Sequence, residues 1–120
     1  MDIHVAIHRA ATTLRLYPKA DDVKTAKIKT VISELGYNIV KYAKIGTISM
    51  FTIDERTQGV RIVAHDRGPG IADISQAMRD NYSSSGTLGL GLPGVRRMVD
   101  LFSLQSEVNV GTTVDVVFYF

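Results

Sequence analysis

The chain of 120 residues contains no cysteine. Disulfides and thiolate metal sites are therefore excluded. Strong charge of either sign is also missing. Fourteen basic and twelve acidic residues leave a formal charge of +2, too little to imply nucleic acid by itself. Arg96-Arg97 is the only adjacent basic pair. No apolar run approaches the length of a membrane span, and the N-terminus lacks a basic start followed by an apolar block. No repeat, low-complexity tract or linker interrupts the chain. What is present is a composition 45% apolar, which suits a globular domain able to bury a core. One domain over residues 1–120 and a cytoplasmic location are the expectations.

Helical periodicity is strongest over residues 22–43. At about 100° per residue, Ile28, Val31, Ile32, Leu35, Ile39 and Tyr42 fall on one stripe. Glu34 and Asn38 sit four residues apart on the flank of that stripe, so they stack where a cleft could form. A carboxylate there can accept a proton, and an amide carbonyl can meet Mg²⁺ or another hard ion. Taken alone, Glu-x-x-x-Asn is a common string.

Residues 2–16 read as a first helix capped by Asp2, although Ile3, Val5 and Ile7 also alternate as a strand would. Tyr17-Pro18 ends it, Asp21 or Asp22 caps the central helix, and Gly46 suits that helix's C-terminal end. Residues 47–53 and 60–66 read as an antiparallel hairpin. On the second strand Val60, Ile62 and Ala64 lead by period two to Asp66, at the strand's end on the buried face.

Asp66-Arg67-Gly68-Pro69-Gly70 follows as a turn-rich loop, and Asp73 can cap a short helix through about Asp80. Residues 81–92 read as a flexible stretch carrying Ser83, Ser84, Ser85, Gly86, Gly89 and Gly91. Pro93 is expected as a first helical residue, with Val95, Met98, Val99 and Phe102 on that helix's apolar stripe. A final hairpin occupies 103–108 and 112–120. The order predicts an α+β fold, a two-layer sandwich of a mostly antiparallel mixed sheet with helices on one face. One helical layer places Asp66 on the Glu34/Asn38 side.

The chemistry of the loops is suggestive piece by piece. A carboxylate at a buried strand end can accept a hydrogen bond from an exocyclic amino group, and Gly68 and Gly70 permit close backbone approach; an ordinary Asx turn is the plainer alternative. Gly86 to Leu92 leads into a helix N-terminus, which favours phosphate. Gly89-x-Gly91-x-x-Gly94 also fits a dinucleotide fingerprint, but without the βαβ context. No Gly-Lys-Ser/Thr occurs, so there is no Walker A loop. His4, His8 and His65 lack metal-ligand spacing. The serines lack a Gly-x-Ser-x-Gly elbow, and a solvated lid is the better reading of them.

In sequence order, Ser33-Glu34-Leu35-x-x-Asn38-Ile39, Asp66-Arg67-Gly68-Pro69-Gly70-Ile71 and Ser84-Ser85-Gly86-x-Leu88-Gly89-x-Gly91-Leu92-Pro93-Gly94-Val95 make a specific set. The set resembles the GHKL superfamily of ATP-binding domains, and within it the anti-sigma-factor serine/threonine kinases of stressosome type. The resemblance covers nearly the whole chain. It implies the Bergerat ATP-binding fold, ATP/ADP and Mg²⁺ as cofactors, and transfer of the γ-phosphoryl group to a protein Ser or Thr.

Residue by residue, the resemblance assigns Glu34 as general base, Asn38 as Mg²⁺ ligand and Asp66 as the acceptor for the adenine amino group. It places Gly68 and Gly70 under the base and Gly86, Leu88, Gly89 and Gly91 on the phosphate side. Lys41, one turn after Asn38, is within reach of a phosphate by geometry. The implied partners are STAS-domain proteins of a stressosome, with a PP2C-type phosphatase as an alternative partner, and neither nucleic acid nor membrane. A departure is the start of the chain at the first helix, where the family places a strand before it. The alternatives are a nucleotide-gated binding switch and an anti-sigma factor with little catalysis.

Overall fold

The computed structural model describes residues 1–79 and 91–120. Helix α1 (Ile3–Leu14) begins where the Asp2 carboxylate accepts the Val5 N–H at 3.2 Å. Helix α2 (Asp22–Asn38) begins in the same way, with Asp21 accepting the Lys24 N–H at 2.8 Å. Each cap satisfies a backbone donor that the first helical turn leaves open. Helix α2 buries Ile28, Val31, Ile32 and Leu35, the stripe that the periodicity predicts.

The helix then widens. Ile39–Ala43 form a single π turn, closed by Lys44 at φ 67° with its N–H on the Ile39 carbonyl at 2.7 Å. A π turn holds more residues per turn than an α turn, so helical spacing fails across it. Ile39 stays buried, whereas Tyr42 is 51% exposed and leaves the apolar stripe expected for it. Lys44, not Gly46, ends the helix. Gly46 is the first residue of a strand.

Strands β1 (Gly46–Asp54) and β2 (Gln58–Asp66) form the expected antiparallel hairpin, and β3 (Leu101–Glu107) and β4 (Gly111–Tyr119) form the second. The hairpins join through β2 and β4, giving the order β1-β2-β4-β3. All three pairings are antiparallel, so the expected mixed character is absent among the described residues. The short helix α3 (Ile74–Ala77) is capped by Asp73, which accepts the Gln76 N–H at 3.0 Å. It stops earlier than expected. Helix α4 (Gly91–Met98) starts two residues before Pro93. Phe102 belongs to β3 and not to the α4 stripe; its spacing from Met98 and Val99 imitates a helix across the turn.

Val60, Ile62 and Ala64 on β2 and Val114, Val116 and Phe118 on β4 face the helices and pack with the α2 stripe into one core. Each Val, Ile, Leu or Phe side chain among them contributes roughly 2 kcal/mol by leaving water. The opposite face of the sheet is open. Arg61 and Asp115 pair across it, with Arg61 Nε 2.9 Å from Asp115 Oδ1. Because β2 and β4 are the two central strands, the ends of both meet beneath the C-terminal part of α2. Among the described residues no helix is long and apolar enough to cross a membrane.

Candidate nucleotide site

A cavity of about 340 Å³ opens at that end of the sheet, within the size range of small-molecule sites. Asn38 and Tyr42 line it from α2 and the π turn, Ala64 and Asp66 from β2, Gly70 and Ile71 from the loop after β2. Gly91 and Leu92 close it from α4, and Thr112 and Val114 from β4. Stretches far apart in sequence thus converge, and Asp66 lies on the Asn38 side as the one-layer argument predicts. Asn38, Asp66, Gly70 and Gly91 line the cavity. Gly68 and Glu34 do not, and Gly86, Leu88, Gly89 and the serine lid lie outside the described residues.

Asp66 is half-buried at the end of β2. Its Oδ1 accepts the Gly68 N–H at 2.8 Å and the Thr112 N–H at 3.2 Å. The Asx turn is therefore present, and it commits only one carboxylate oxygen. Oδ2 takes no hydrogen bond among the described residues and remains an acceptor for a ligand.

The loop that follows is tied to the β3–β4 turn. The Asn109 N–H donates to the Pro69 carbonyl at 2.8 Å, and the Ile71 N–H donates to Ser106 Oγ at 2.7 Å. Gly70 sits at φ +75°, and a Cβ on it would lie 2.3 Å from the Glu107 carbonyl oxygen. Only glycine fits there. At Gly68 a Cβ would lie 2.5 Å from that of Ala43, so glycine lets the loop pass beneath the π turn.

Glu34 is only 3% exposed, and it is the one buried charged residue among the described residues. The Gly91 backbone N–H donates to its carboxylate, and burial nonetheless pushes its pKa above the ordinary carboxylate value. Its Oε2 has no hydrogen-bond partner among the described residues. A buried carboxylate oxygen without a donor is costly, and the raised pKa suits a group that takes up a proton. Gly91, the donor to Glu34, is itself part of the cavity wall, so Glu34 stands behind that wall. Asn38 stands one turn further along α2, and no hydrogen bond engages its side chain among the described residues.

Two lining residues were not foreseen. Tyr42 lines the cavity from the π turn, four residues after Asn38. Thr112 pairs opposite Asp66 across β2 and β4, strands whose partnership spans 46 residues of sequence. A threonine following Gly111 at a strand start is the sole local hint. Lys41 lies over the Tyr42 ring, with Nζ 5.4 Å from its centroid. No group of three His, Cys, Asp or Glu among the described residues is placed to hold a metal.

The architecture is an α+β sandwich, an antiparallel sheet under one helical layer, with a cavity between α2 and the strand ends. The chain belongs to the histidine kinase-like ATPase domain family, whose model matches residues 2–118. It is 47% identical over 96 residues to the serine/threonine-protein kinase RsbT of Bacillus subtilis, covering 79% of this chain and 72% of that one. It is 32% identical over 112 residues to an anti-sigma F factor of Geobacillus stearothermophilus, covering 88% and 75%. In fold it matches the mycobacterial sensor histidine kinase MprB at a TM-score of 0.61 and 17% identity, covering 99% and 95%.

Proposed function

We propose that residues 1–120 act as one ATP-dependent protein serine/threonine kinase unit in a bacterial partner switch. Its substrates are STAS-domain proteins of a stressosome, and a PP2C-type phosphatase is a further partner. The kinase class follows from the family and from the relative at 47% identity. The observation that carries catalysis is Glu34: a buried carboxylate, raised in pKa, with Oε2 unpartnered among the described residues and one helical turn from Asn38.

The division of labour is the one that the family resemblance implies. Asp66 Oδ2 accepts the exocyclic amino group of adenine, and Gly70 lets the backbone pass close to the base. Tyr42 offers a ring at the rim of the same cavity. Gly91, with Gly86, Leu88 and Gly89, serves the phosphate side, where the N-terminus of α4 favours negative charge. Asn38 supplies a hard carbonyl oxygen with no competing hydrogen bond among the described residues, which fits Mg²⁺, an ion that keeps several waters. When bound, Mg²⁺ neutralises charge on the phosphate oxygens.

Glu34 takes the proton of the acceptor hydroxyl. The hydroxyl oxygen forms a bond to the γ-phosphorus as the bond to the β-phosphate oxygen breaks, and ADP leaves with that electron pair. Positioning and charge neutralisation supply the rest of the rate. The cytoplasm, where ATP and such partners meet, is its place of action.

The relatives named anti-sigma F factors support a second reading, a nucleotide-gated switch that holds a partner and catalyses little. Glu34 separates the two, since a pure binder has no use for an unpartnered buried carboxylate. The test mixes the protein with Mg²⁺, γ-labelled ATP and the STAS-domain proteins encoded beside it. Label on a STAS Ser or Thr, lost in Glu34→Ala, is the expected result. ATP binding without any label would transfer the case to the holding switch.

A further inference from the structure

Charge is divided unevenly along the chain. Residues 3–53, which hold α1, α2, the π turn and most of β1, carry eight Lys and Arg against three acids, Asp21, Asp22 and Glu34. Asp21 is spent on the cap of α2, and Glu34 is buried. Residues 54–120 carry six Arg against eight acids. The cations of the helical layer are also left without counter-charges. Arg9, Arg15, Lys19, Lys27, Lys29 and Lys44 are exposed, and none of them has an ion pair among the described residues. On the open sheet face, by contrast, Arg61 is paired with Asp115. Like charges gathered in this way oppose the compact state, so the layer is unfavourable until an acidic surface meets it.

Exposed apolar side chains stand among these cations. Leu16 is 78% and Val23 64% exposed, and Tyr37 and Val40 are half-exposed. Cations alone suit a phosphate backbone, whereas cations mixed with aliphatic and aromatic anchors suit a protein face. Helix α2 also aims part of the patch at the chemistry. Lys27 lies seven residues before Glu34 and Tyr37 three after it, so both stand toward Glu34's side of α2, Lys27 roughly 10 Å along the axis. We infer that the outward face of α1 and α2 is the docking surface for an acidic protein face, the one that brings the acceptor hydroxyl to Glu34. The partner's carboxylates meet Lys19, Lys27 and Lys29, and its apolar side chains cover Val23 and Tyr37. Partner choice is then made outside the nucleotide cavity, by charge that steers the encounter and fixes its register.

This inference rests on the kinase reading of the site. Its test follows transfer from γ-labelled ATP by the full chain to the STAS-domain proteins encoded beside it, at varied partner concentration, with thermal unfolding recorded for every variant. Lys27→Glu combined with Lys29→Glu should raise KM for the partner at least about tenfold, with kcat and ATP affinity within about twofold of wild type. Lys27→Glu alone should raise it about threefold. Arg56→Glu makes the same change in net charge in the turn between β1 and β2, and should leave KM where it is. Added salt should raise KM for the wild type and leave the double variant nearly flat. Where the double reversal does not fold, Lys27→Gln with Lys29→Gln should raise KM about threefold in its place.

A partner KM unmoved by the double reversal, in a protein that still transfers label, would overturn the inference alone. An equal rise in Arg56→Glu would do the same, since net charge and not this face would be responsible. Wild type that holds phosphatidylglycerol vesicles or duplex DNA more tightly than the STAS proteins, and loses that hold in the double variant, would overturn the choice of a protein partner. Wild type that neither binds nor labels any STAS protein would overturn the kinase reading together with the inference.

Discussion

The two ends of the site are built on opposite terms. Around Asp66 the backbone is heavily tied: Gly68 and Thr112 donate to the carboxylate, Asn109 to Pro69 and Ile71 to Ser106. Around Glu34 there is one donor, Gly91, and a buried oxygen with no partner among the described residues. The first end is braced before any ligand arrives, with Asp66 Oδ2 left open to receive a base. The second is held in an unfavourable state by the packing of α2, and unfavourable local states of this kind gather where chemistry is done. Binding and catalysis should therefore respond separately to substitution.

The widest separation is expected in Glu34→Gln. The change keeps size and one acceptor for the Gly91 N–H but removes the proton acceptor. Phosphotransfer should fall about 10²- to 10⁴-fold, as for loss of a general base. A rate assay with labelled ATP checks this.

Gly70→Ala attacks the tied end. A side chain at φ +75° and 2.3 Å from a carbonyl oxygen must displace the loop. A stability loss of at least about 2 kcal/mol is expected, measured by urea unfolding. Affinity for ATP should fall with it, whereas Glu34→Gln should leave the loop untouched.

Glu34→Gln should also remove a pH dependence of stability, read from Tm against pH. The sign follows from linkage. Burial raises the folded pKa of Glu34 above its ordinary value. Between those two values the folded state holds a proton that the unfolded state has lost, so stability falls as pH rises through that window. Below the window wild type and Glu34→Gln should converge. Curves that stay parallel across all pH would mean the carboxylate carries no burial cost. The smallest effect is in the rate profile. The acid limb of transfer should lie above the ordinary carboxylate range, and it is read from initial rates against pH.

Much of this architecture is written in local patterns. The stripe of Ile28, Val31, Ile32 and Leu35 is plain 3.6 periodicity, and the alternation to Asp66 places that carboxylate on the helix side by period two. The meeting of Asn38 and Asp66 at one cavity follows from one further premise, a single helical layer, whereas Glu34 does not line that cavity. Tyr42 and Lys44 show where such reasoning stops. A π turn has no hydrophobic period of its own, and a lysine at φ 67° is a tertiary outcome rather than a residue preference. Phe102 falls on the α4 stripe by spacing alone, because three- and four-residue spacing continues by chance across the junction of α4 and β3. Ser106 and Thr112 matter only through the pairing of β2 with β4 and of β3 with β4, which no short window of sequence contains.

The separation of the two ends is tested most directly by titrating ATP into Glu34→Gln and Asp66→Asn side by side. Glu34→Gln should bind ATP within about twofold of wild type. Asp66→Asn should lose about tenfold to a hundredfold, the worth of a hydrogen bond to a charged acceptor. Equal losses in both, or a loss confined to Glu34→Gln, would contradict the assignment of binding to one carboxylate and catalysis to the other.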